Sequence, residues 1–144
     1  MNAELKTIEE VVADAIRGID FASNDYLAER MAKNPKLVLL DVRTADEYQA
    51  GHIKGAEWME RGIVEFRMAR MIRDPDAEII VYCKKGNRSG LVLKALKEMG
   101  YTNVRAHVGF DEWVKSGRTF QNYLGESRME QLREINATTN APQR

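Results

Sequence analysis

Two short apolar runs constrain the fold more than any other feature of this sequence. Leu37–Val42 and Ile79–Cys83 each have the length of a strand and are almost wholly apolar, which is typical of strands covered on both faces of a parallel sheet. Helical patterns precede and follow each run, and strands that alternate with helices pair in parallel through right-handed crossovers. The sequence therefore predicts an α/β fold with three layers, a central parallel sheet flanked by helices.

Capping and turn residues locate the helices between these strands. Thr7 and Thr44 are each followed three residues later by Glu, which predicts two capping boxes. Ser89 is expected to be the N-cap of a helix that ends at Gly100, and the spacing of Ile63, Phe66, Arg70 and Met71 indicates a helix after Gly62. The predicted helices span about 7–17, 24–34, 44–51, 63–73, 89–100 and 111–115, and a third strand begins at 103–105.

The length of 144 residues predicts one domain. We expect an N-terminal helical extension over 1–18, the domain itself over 19–120, and a C-terminal segment over 121–144. In that last segment, 123–135 is partly amphipathic and is expected to form a helix, whereas the polar residues 136–144 are expected to be disordered.

Charge and cysteine content narrow the function classes. The 22 Lys and Arg residues balance 22 Asp and Glu residues, so no overall field attracts nucleic acid or an anionic membrane, and neither is expected as a partner. The start of the chain does not resemble a secretory signal, so a cytoplasmic location is expected, with a mature exported protein as the alternative. The single cysteine, Cys83, allows no internal disulfide and leaves the redox compartment open.

The loop that follows the second apolar run carries the chemistry. Backbone N–H groups between a strand end and a helix start converge on one point, where the helix dipole adds positive charge. We expect a nucleophilic thiolate and an anion cradle to coincide in this loop; the alternative is a small buried cysteine beside a solvated loop face. Gly86 and Asn87 tolerate the positive φ that such a cradle needs. The candidate residues are Cys83, Lys84, Lys85, Gly86, Asn87, Arg88 and Ser89.

Loop length separates two kinds of chemistry. Cysteine phosphatases cradle phosphate in a loop of the form Cys-x5-Arg, whereas only four residues separate Cys83 from Arg88. A shorter loop closes more tightly around the sulfur and leaves less room for a tetrahedral phosphate. The spacing favours an extra sulfur atom held on Cys83, with the anionic group of its donor outside the loop.

Five motifs, taken in order, resemble those of the rhodanese family of single-domain sulfurtransferases. The resemblance covers about 20–117 and implies the rhodanese fold, a persulfide on the position matching Cys83, and no cofactor. Lys54 stands where the family usually has proline. Val108 stands where the family usually has glycine, and this second departure is expected to reshape the loop bordering the site. The motifs are Leu39–Arg43 with Glu47–Tyr48, Gly51–Ala56, Val81–Ser89, Met99–Tyr101 and Gly109–Trp113.

The resemblance implies a sulfurtransferase that moves sulfane sulfur from thiosulfate or a similar small anionic donor through Cys83 persulfide. The acceptor would be a thiophile such as a small thiol or a protein thiol. Lys84, Lys85 and Arg88 are candidates for the sulfonate of the donor, and backbone N–H groups of 84–89 for stabilising the persulfide. The alternative is a sulfur-relay module that passes sulfur between proteins and turns over thiosulfate only incidentally.

Other polar residues have a structural and a functional interpretation. Asp41 and Arg43 could form the rim of the site, although Arg43 could instead pair with Glu47 or another carboxylate to fix the strand–helix corner. His52 and His107 are expected to be hydrogen-bonded structural residues, because a preformed thiolate needs no base. A solvated face is expected for Glu65, Arg67 and Arg70, and packing for Trp58 and Trp113. One cysteine and two distant histidines make no zinc site of normal spacing, so no metal is expected.

Overall fold

Four parallel strands form the central sheet of the protein, whose computed structural model describes residues 4–128. The strands are β1 (Val38–Asp41), β2 (Glu57–Trp58), β3 (Ile79–Tyr82) and β4 (Val104–Ala106), in the spatial order β2-β1-β3-β4. Asp41 pairs in register with Tyr82, so the carboxyl ends of β1 and β3 lie side by side. The predicted parallel sheet is confirmed, and β2 is a strand that the sequence analysis missed.

The helices connect these strands and cover both faces of the sheet. At Thr44 both hydrogen bonds of the predicted capping box form. At Thr7 the hydroxyl accepts a hydrogen bond from the Glu10 N–H and donates one to the Glu10 carboxylate. None of the helices within 4–128 combines the length and the apolar character that a bilayer-spanning helix requires. The helices are α1 (Ile8–Ile16), α2 (Asn24–Lys33), α3 (Ala45–Ala50), a 3-10 helix (Arg61–Ile63), α4 (Val64–Met71), α5 (Asn87–Met99) and α6 (Phe110–Lys115).

Two hydrophobic cores lie on opposite faces of the sheet and account for the three layers. Along β3 successive side chains alternate between faces: Ile79, Val81 and Cys83 enter the core that contains α4 and α5 side chains. Ile80 and Tyr82 enter the other core, which contains side chains from α2 and α6. This alternation explains why the β3 run is apolar throughout, and it places Cys83 on the α4–α5 side.

The helix predicted after Gly62 exists, but its expected apolar face does not contact the core. Val64 and Met68 are fully buried, whereas Ile63, Phe66 and Met71 are 39%, 72% and 45% exposed. The segment carries two apolar stripes at helical spacing, and only one of them can face the sheet. Packing selects the Val64–Met68 stripe and leaves Phe66 in solvent.

The start of α5 differs from the prediction. The helix begins at Asn87 with Gly86 as its N-cap, three residues before the position expected from a Ser89 cap. Gly86 has φ 107°, a left-handed conformation that favours glycine. This conformation of Gly86 allows the helix to begin at the next residue, Asn87. Of the two residues that tolerate a positive φ, only Gly86 adopts one, because Asn87 already lies in the helix.

The C-terminal segment begins with a hairpin. Strands β5 (Phe120–Asn122) and β6 (Gly125–Ser127) pair in antiparallel fashion, so the helix predicted over 123–135 is wrong for its described part. His52 and Gln121 exchange two backbone hydrogen bonds of 2.8 Å, and Phe120 is buried. The hairpin is thereby held against the turn after α3. The rest of the predicted helix, and the tail predicted to be disordered, lie outside the described residues.

The N-terminal segment packs on the back of the cysteine loop. A Cβ atom added to Gly90 would lie 2.3 Å from Ile16 Cγ2, so α1 approaches α5 at a position that only glycine allows. A Cβ atom on Gly86 would meet the Phe21 ring at 3.1 Å. The segment before α2 therefore supports the loop and helix that follow β3.

Candidate active site

Cys83 lies directly after β3, and its sulfur is enclosed by backbone N–H donors. The residue is 1% exposed. Gly86 N–H and Ser89 N–H donate to Sγ at 3.1 and 3.4 Å, and the Ser89 hydroxyl lies 3.6 Å from Sγ and donates to the Gly86 carbonyl. Donors fixed in this way stabilise negative charge on sulfur because they need no reorganisation.

Helix α5 adds to this field. Gly86, its N-cap, and Ser89, its third residue, are the two residues whose N–H groups donate to Sγ. The sulfur therefore lies at the N-terminus of a 13-residue helix. The unpaired N–H groups of a first turn carry partial positive charge and favour an anion. The sequence analysis placed Cys83, Gly86 and Ser89 together, and in the structure these three residues are in contact.

The three cations of the loop have different surroundings. Lys84 and Lys85 are exposed, and within 4–128 neither forms an ion pair. Arg88 instead donates to both carboxylate oxygens of Glu47, at 2.6 and 3.0 Å. This bidentate bond, with the Thr44 backbone N–H, outweighs burial and lowers the pKa of Glu47 to about 2. Two of the three predicted sulfonate ligands, Lys84 and Lys85, therefore have no carboxylate partner among the described residues.

Arg43 pairs with Asp41 and not with Glu47. Its Nη2 and Nε lie 2.6 and 2.9 Å from the two Asp41 oxygens, and both side chains are buried. Arg43 also donates to the Gly51 carbonyl and lies over the Phe110 ring, 4.3 Å from its centroid. The expectation that Arg43 braces the strand–helix corner through a carboxylate is right, and the carboxylate is Asp41.

Gly109 is a site residue that the sequence analysis quoted only as part of a motif. Its φ is +115°, and an added Cβ would lie 2.3 Å from the Lys84 carbonyl oxygen. Phe110 N–H donates to the Cys83 carbonyl at 2.8 Å and Asp111 N–H to the Lys84 carbonyl at 3.2 Å. The turn before α6 thus lies on the cysteine loop, and the presence of glycine beside an aromatic residue was its only signal.

Both histidines make structural hydrogen bonds. His107 is fully buried, with Nε2 2.8 Å from Asn24 Oδ1 and with Nδ1 accepting the Gly109 N–H. Burial, with a smaller effect of Arg118, lowers the pKa of His107 to about 4. His52 stacks on Tyr48, and its Nδ1 lies 2.9 Å from the Tyr48 carbonyl oxygen. Their arrangement agrees with the structural interpretation.

The remaining candidates also have structural surroundings. Trp58 donates to the Arg43 carbonyl and Trp113 to the Thr119 carbonyl. Glu65 pairs with Arg61, whereas Arg67 and Arg70 are exposed. Among the residues that the structure describes, no group of three His, Cys, Asp or Glu side chains could hold a metal ion.

A groove opens beside the cysteine loop on its α6 side. It has a volume of about 530 Å³, with Phe110, Val114 and Phe120 as its apolar wall and Lys84 and Glu47 among its charged residues. Lys84 and the carboxylate partner of Arg88 bound this groove, so a molecule held there would lie next to the loop. The geometry provides a buried cysteine sulfur, backbone N–H groups that favour negative charge on it, and a groove next to the loop.

Comparisons with known proteins agree with this geometry. Thiosulfate sulfurtransferase PspE of Escherichia coli is 38% identical over 65 residues, which are 45% of this chain and 62% of that protein. A sulfurtransferase of Allochromatium vinosum is 28% identical over 95 residues, covering 65% of this chain and 87% of the relative. The polysulfide-sulfur transferase homodimer of Wolinella succinogenes has a TM-score of 0.65 at 30% identity, over 76% of this chain and 82% of that one.

The family assignment follows from the matched segment. The model of the rhodanese-like domain matches residues 23–116, which include all four strands of the parallel sheet and the loop from Cys83 to Ser89. The parallel sheet between two helical layers and the cysteine at the end of β3 lie within this match. On this evidence the chain is a member of the rhodanese-like domain family.

Proposed function

We propose that this protein is a thiosulfate-type sulfurtransferase that carries sulfane sulfur as a persulfide on Cys83. The observation that carries the proposal is the pair of backbone N–H groups, from Gly86 and Ser89, that donate to Cys83 Sγ at the N-terminus of α5. A purely structural cysteine has no use for such donors. The names of the relatives PspE and the Allochromatium protein support the same reaction class.

The reaction has two transfers at sulfur. The Cys83 thiolate attacks the outer sulfur of thiosulfate, a sulfur–sulfur bond forms to Sγ, and the bond to the sulfonate breaks with release of sulfite. The cysteine then carries a terminal anionic sulfur. A thiophilic acceptor, such as cyanide in an assay or a thiol, attacks that sulfur and restores the thiolate. Covalent catalysis in two steps predicts ping-pong kinetics.

The loop residues have separate roles in this scheme. Backbone N–H groups of the loop stabilise the anionic sulfur, and Gly86 is the residue whose left-handed conformation aims them. Lys84 and Lys85, which are exposed and have no carboxylate partner within the described residues, bind the sulfonate of the donor. Arg88 is held by Glu47 and braces the loop against α3. Asn87 contributes through the backbone of the first helical turn.

Residues Asp41 and Arg43 support the site from beneath. Arg43 lies over the Tyr82 ring of β3, 5.6 Å from its centroid, and donates to the Gly51 carbonyl beside the groove. We assign Asp41 and Arg43 a positioning role, because both are almost wholly buried and Arg43, which lines the groove, is held by its ion pair with Asp41.

Intact-protein mass spectrometry tests the persulfide directly. Thiosulfate should add one sulfur atom to the wild type, cyanide should remove it as thiocyanate, and Cys83→Ser should gain nothing. Transfer at the wild-type rate by Cys83→Ser would refute the mechanism.

Lys84→Ala should raise KM for thiosulfate by about tenfold, since a charge-assisted hydrogen bond contributes roughly 1.5 kcal/mol. The matched control is Lys94→Ala, on the exposed side of α5, which should leave KM unchanged.

A second candidate function is sulfur relay between proteins, with thiosulfate turnover incidental. It uses the same cysteine loop, and the exposed apolar face of α4 favours it. Slow loading of Cys83 with sulfur from thiosulfate, together with rapid loading from a protein persulfide, would indicate sulfur relay and not an enzyme that uses small-molecule donors.

A further inference from the structure

One surface of α4 combines exposed apolar and basic side chains. Ile63, Phe66, Arg67 and Arg70 have i, i+3 and i+4 spacing, which places them on one helix face. Phe66 is 72% exposed and Ile63 is 39% exposed, and both arginines are exposed. Met71, 45% exposed, extends the apolar area at the end of the helix. We call these five residues the α4 face.

Within the described part of the chain, the arginines of the α4 face have no ion-pair partner. Within 4–128, neither Arg67 nor Arg70 forms an ion pair or a side-chain hydrogen bond, and the nearby carboxylate of Glu65 is held by Arg61 at 3.1 Å. Aromatic, Met and Arg side chains are the types enriched in the centres of protein interfaces, and contiguous exposed apolar area marks binding surfaces. The chain as a whole is neutral, so this is a local concentration of positive charge.

The α4 face also begins at the edge of the sheet where Cys83 lies. The 3-10 helix before α4 starts with Arg61, whose N–H donates to the Val42 carbonyl directly after β1. The buried side of α4, Val64 and Met68, packs in the same core as Cys83. A protein bound to the α4 face would therefore contact the outer side of a helix whose inner side packs in the same core as Cys83.

We infer that the α4 face binds an acidic protein surface bearing an apolar side chain, on the thiol or persulfide protein that exchanges sulfur with Cys83. This inference rests on the proposed function for what the partner carries. Phe66 would insert into the partner's apolar surface, and Arg67 and Arg70 would pair with its carboxylates. A second copy of this chain is disfavoured, because a two-fold contact through this face would bring two basic surfaces together.

The binding test uses a synthetic amphipathic helical peptide of about 18 residues, with Leu and Phe on one face, Glu beside them and one Cys. Amide shifts of the ¹⁵N-labelled full chain should locate binding at 61–73. Arg67→Glu/Arg70→Glu and Phe66→Ser should each weaken binding by at least about tenfold, as hot-spot residues do. The matched control, Lys94→Glu/Lys97→Glu on exposed positions of α5, should change it by less than about twofold, and a peptide with Lys in place of Glu should not bind.

Several results would overturn the inference. These are no shifts at 61–73 with millimolar peptide, equal binding of the Glu and Lys peptides, or binding unaffected by the arginine substitutions. A dimer in sedimentation analysis that Phe66→Ser dissociates would assign the α4 face to a second copy instead.

A kinetic arm separates this inference from the proposed function. The α4 variants should keep wild-type thiosulfate:cyanide turnover but transfer sulfur to the peptide thiol about tenfold more slowly at subsaturating peptide. Absence of any persulfide in the wild type would refute the proposed function, whereas the binding arm needs no sulfur chemistry and would still test the α4 face.

Discussion

Gly109→Ala tests whether the turn before α6 determines the shape of the cysteine loop. The substitution adds one methyl group at φ +115°, where it would lie 2.3 Å from the Lys84 oxygen and 2.8 Å from the Lys84 carbonyl carbon. Both neighbours are backbone atoms, so no flexible side chain can move aside. The change therefore combines backbone strain with a steric conflict.

The magnitude follows from separating these two effects. A left-handed backbone costs a non-glycine residue about 1–2 kcal/mol, and forcing an extra methyl group into a packed site adds about 1–3 kcal/mol. Gly100→Ala is the control for a positive φ without a contact: Gly100 has φ 105° and ψ 5° and an added Cβ would meet nothing within 4 Å, whereas Gly109 has φ 115° and ψ 160°. We expect Gly100→Ala to lose about 1–2 kcal/mol and Gly109→Ala about 2–5 kcal/mol of unfolding free energy.

Urea unfolding of the two variants and the wild type measures these losses, with equal m-values as the check that the native state is retained. Gly109→Ala should also reduce kcat/KM for thiosulfate in conditions where it is fully folded, because the conflict displaces the Lys84 carbonyl next to Cys83. Equal destabilisation of Gly109→Ala and Gly100→Ala would refute the contact with the loop. Normal kinetics in a folded Gly109→Ala variant would refute its effect on the site.

Three further predictions concern contacts around the site. Arg88 lowers the pKa of Glu47 to about 2, so the ionised carboxylate stabilises the folded state above its ordinary pKa of 4.5, and this stabilisation is lost as the pH falls toward 2. Glu47→Gln should lose about 1 kcal/mol of unfolding free energy at pH 7, a value discounted for partial exposure. In urea unfolding, the stability of this variant should fall less between pH 5 and pH 3 than that of the wild type. Burial lowers the pKa of His107 to about 4, so as the pH falls this imidazole is protonated in the unfolded chain before it is protonated in the folded protein. The unfolding free energy should therefore fall by about 2 kcal/mol from pH 7 to pH 5. An unfolding free energy that does not change over this range would contradict the burial of a neutral imidazole. Gly90→Ala should destabilise by about 1–3 kcal/mol, because the new methyl group meets Ile16 Cγ2 at 2.3 Å, and a double-mutant cycle should show that adding Ile16→Ala costs less than the sum of the two single changes.

The parts of the fold that the sequence predicted are those with strong local signals. β1 and β3 are buried on both faces, so apart from Asp41 their residues are apolar, and this pattern predicts strands without knowledge of which elements lie beside them. The capping box at Thr44 is set by a few adjacent residues. Cys83 was placed at the reactive edge because a strand end and a helix start flank it.

The features that were missed depend on long-range contacts. β2 has two residues, one exposed and one half-buried, and pairing with β1 alone makes it a strand. Glu47 and Arg88 are 41 residues apart, so nothing local indicated their ion pair or the diversion of Arg43 to Asp41. On α4 two apolar stripes compete, and only the position of the sheet decides which of them is buried.

The approach of α1 to α5 bears on where this domain can be cut. The family match begins at residue 23, yet Ile16 and Phe21 lie against the two glycines at the start of α5. A shortened chain that begins at the family boundary would keep every residue with a proposed chemical role and expose the apolar back of the helix that carries the cysteine loop. We therefore expect the cooperative folding unit to be longer than the segment that identifies the family, and expression of the domain by itself should include the N-terminal helix.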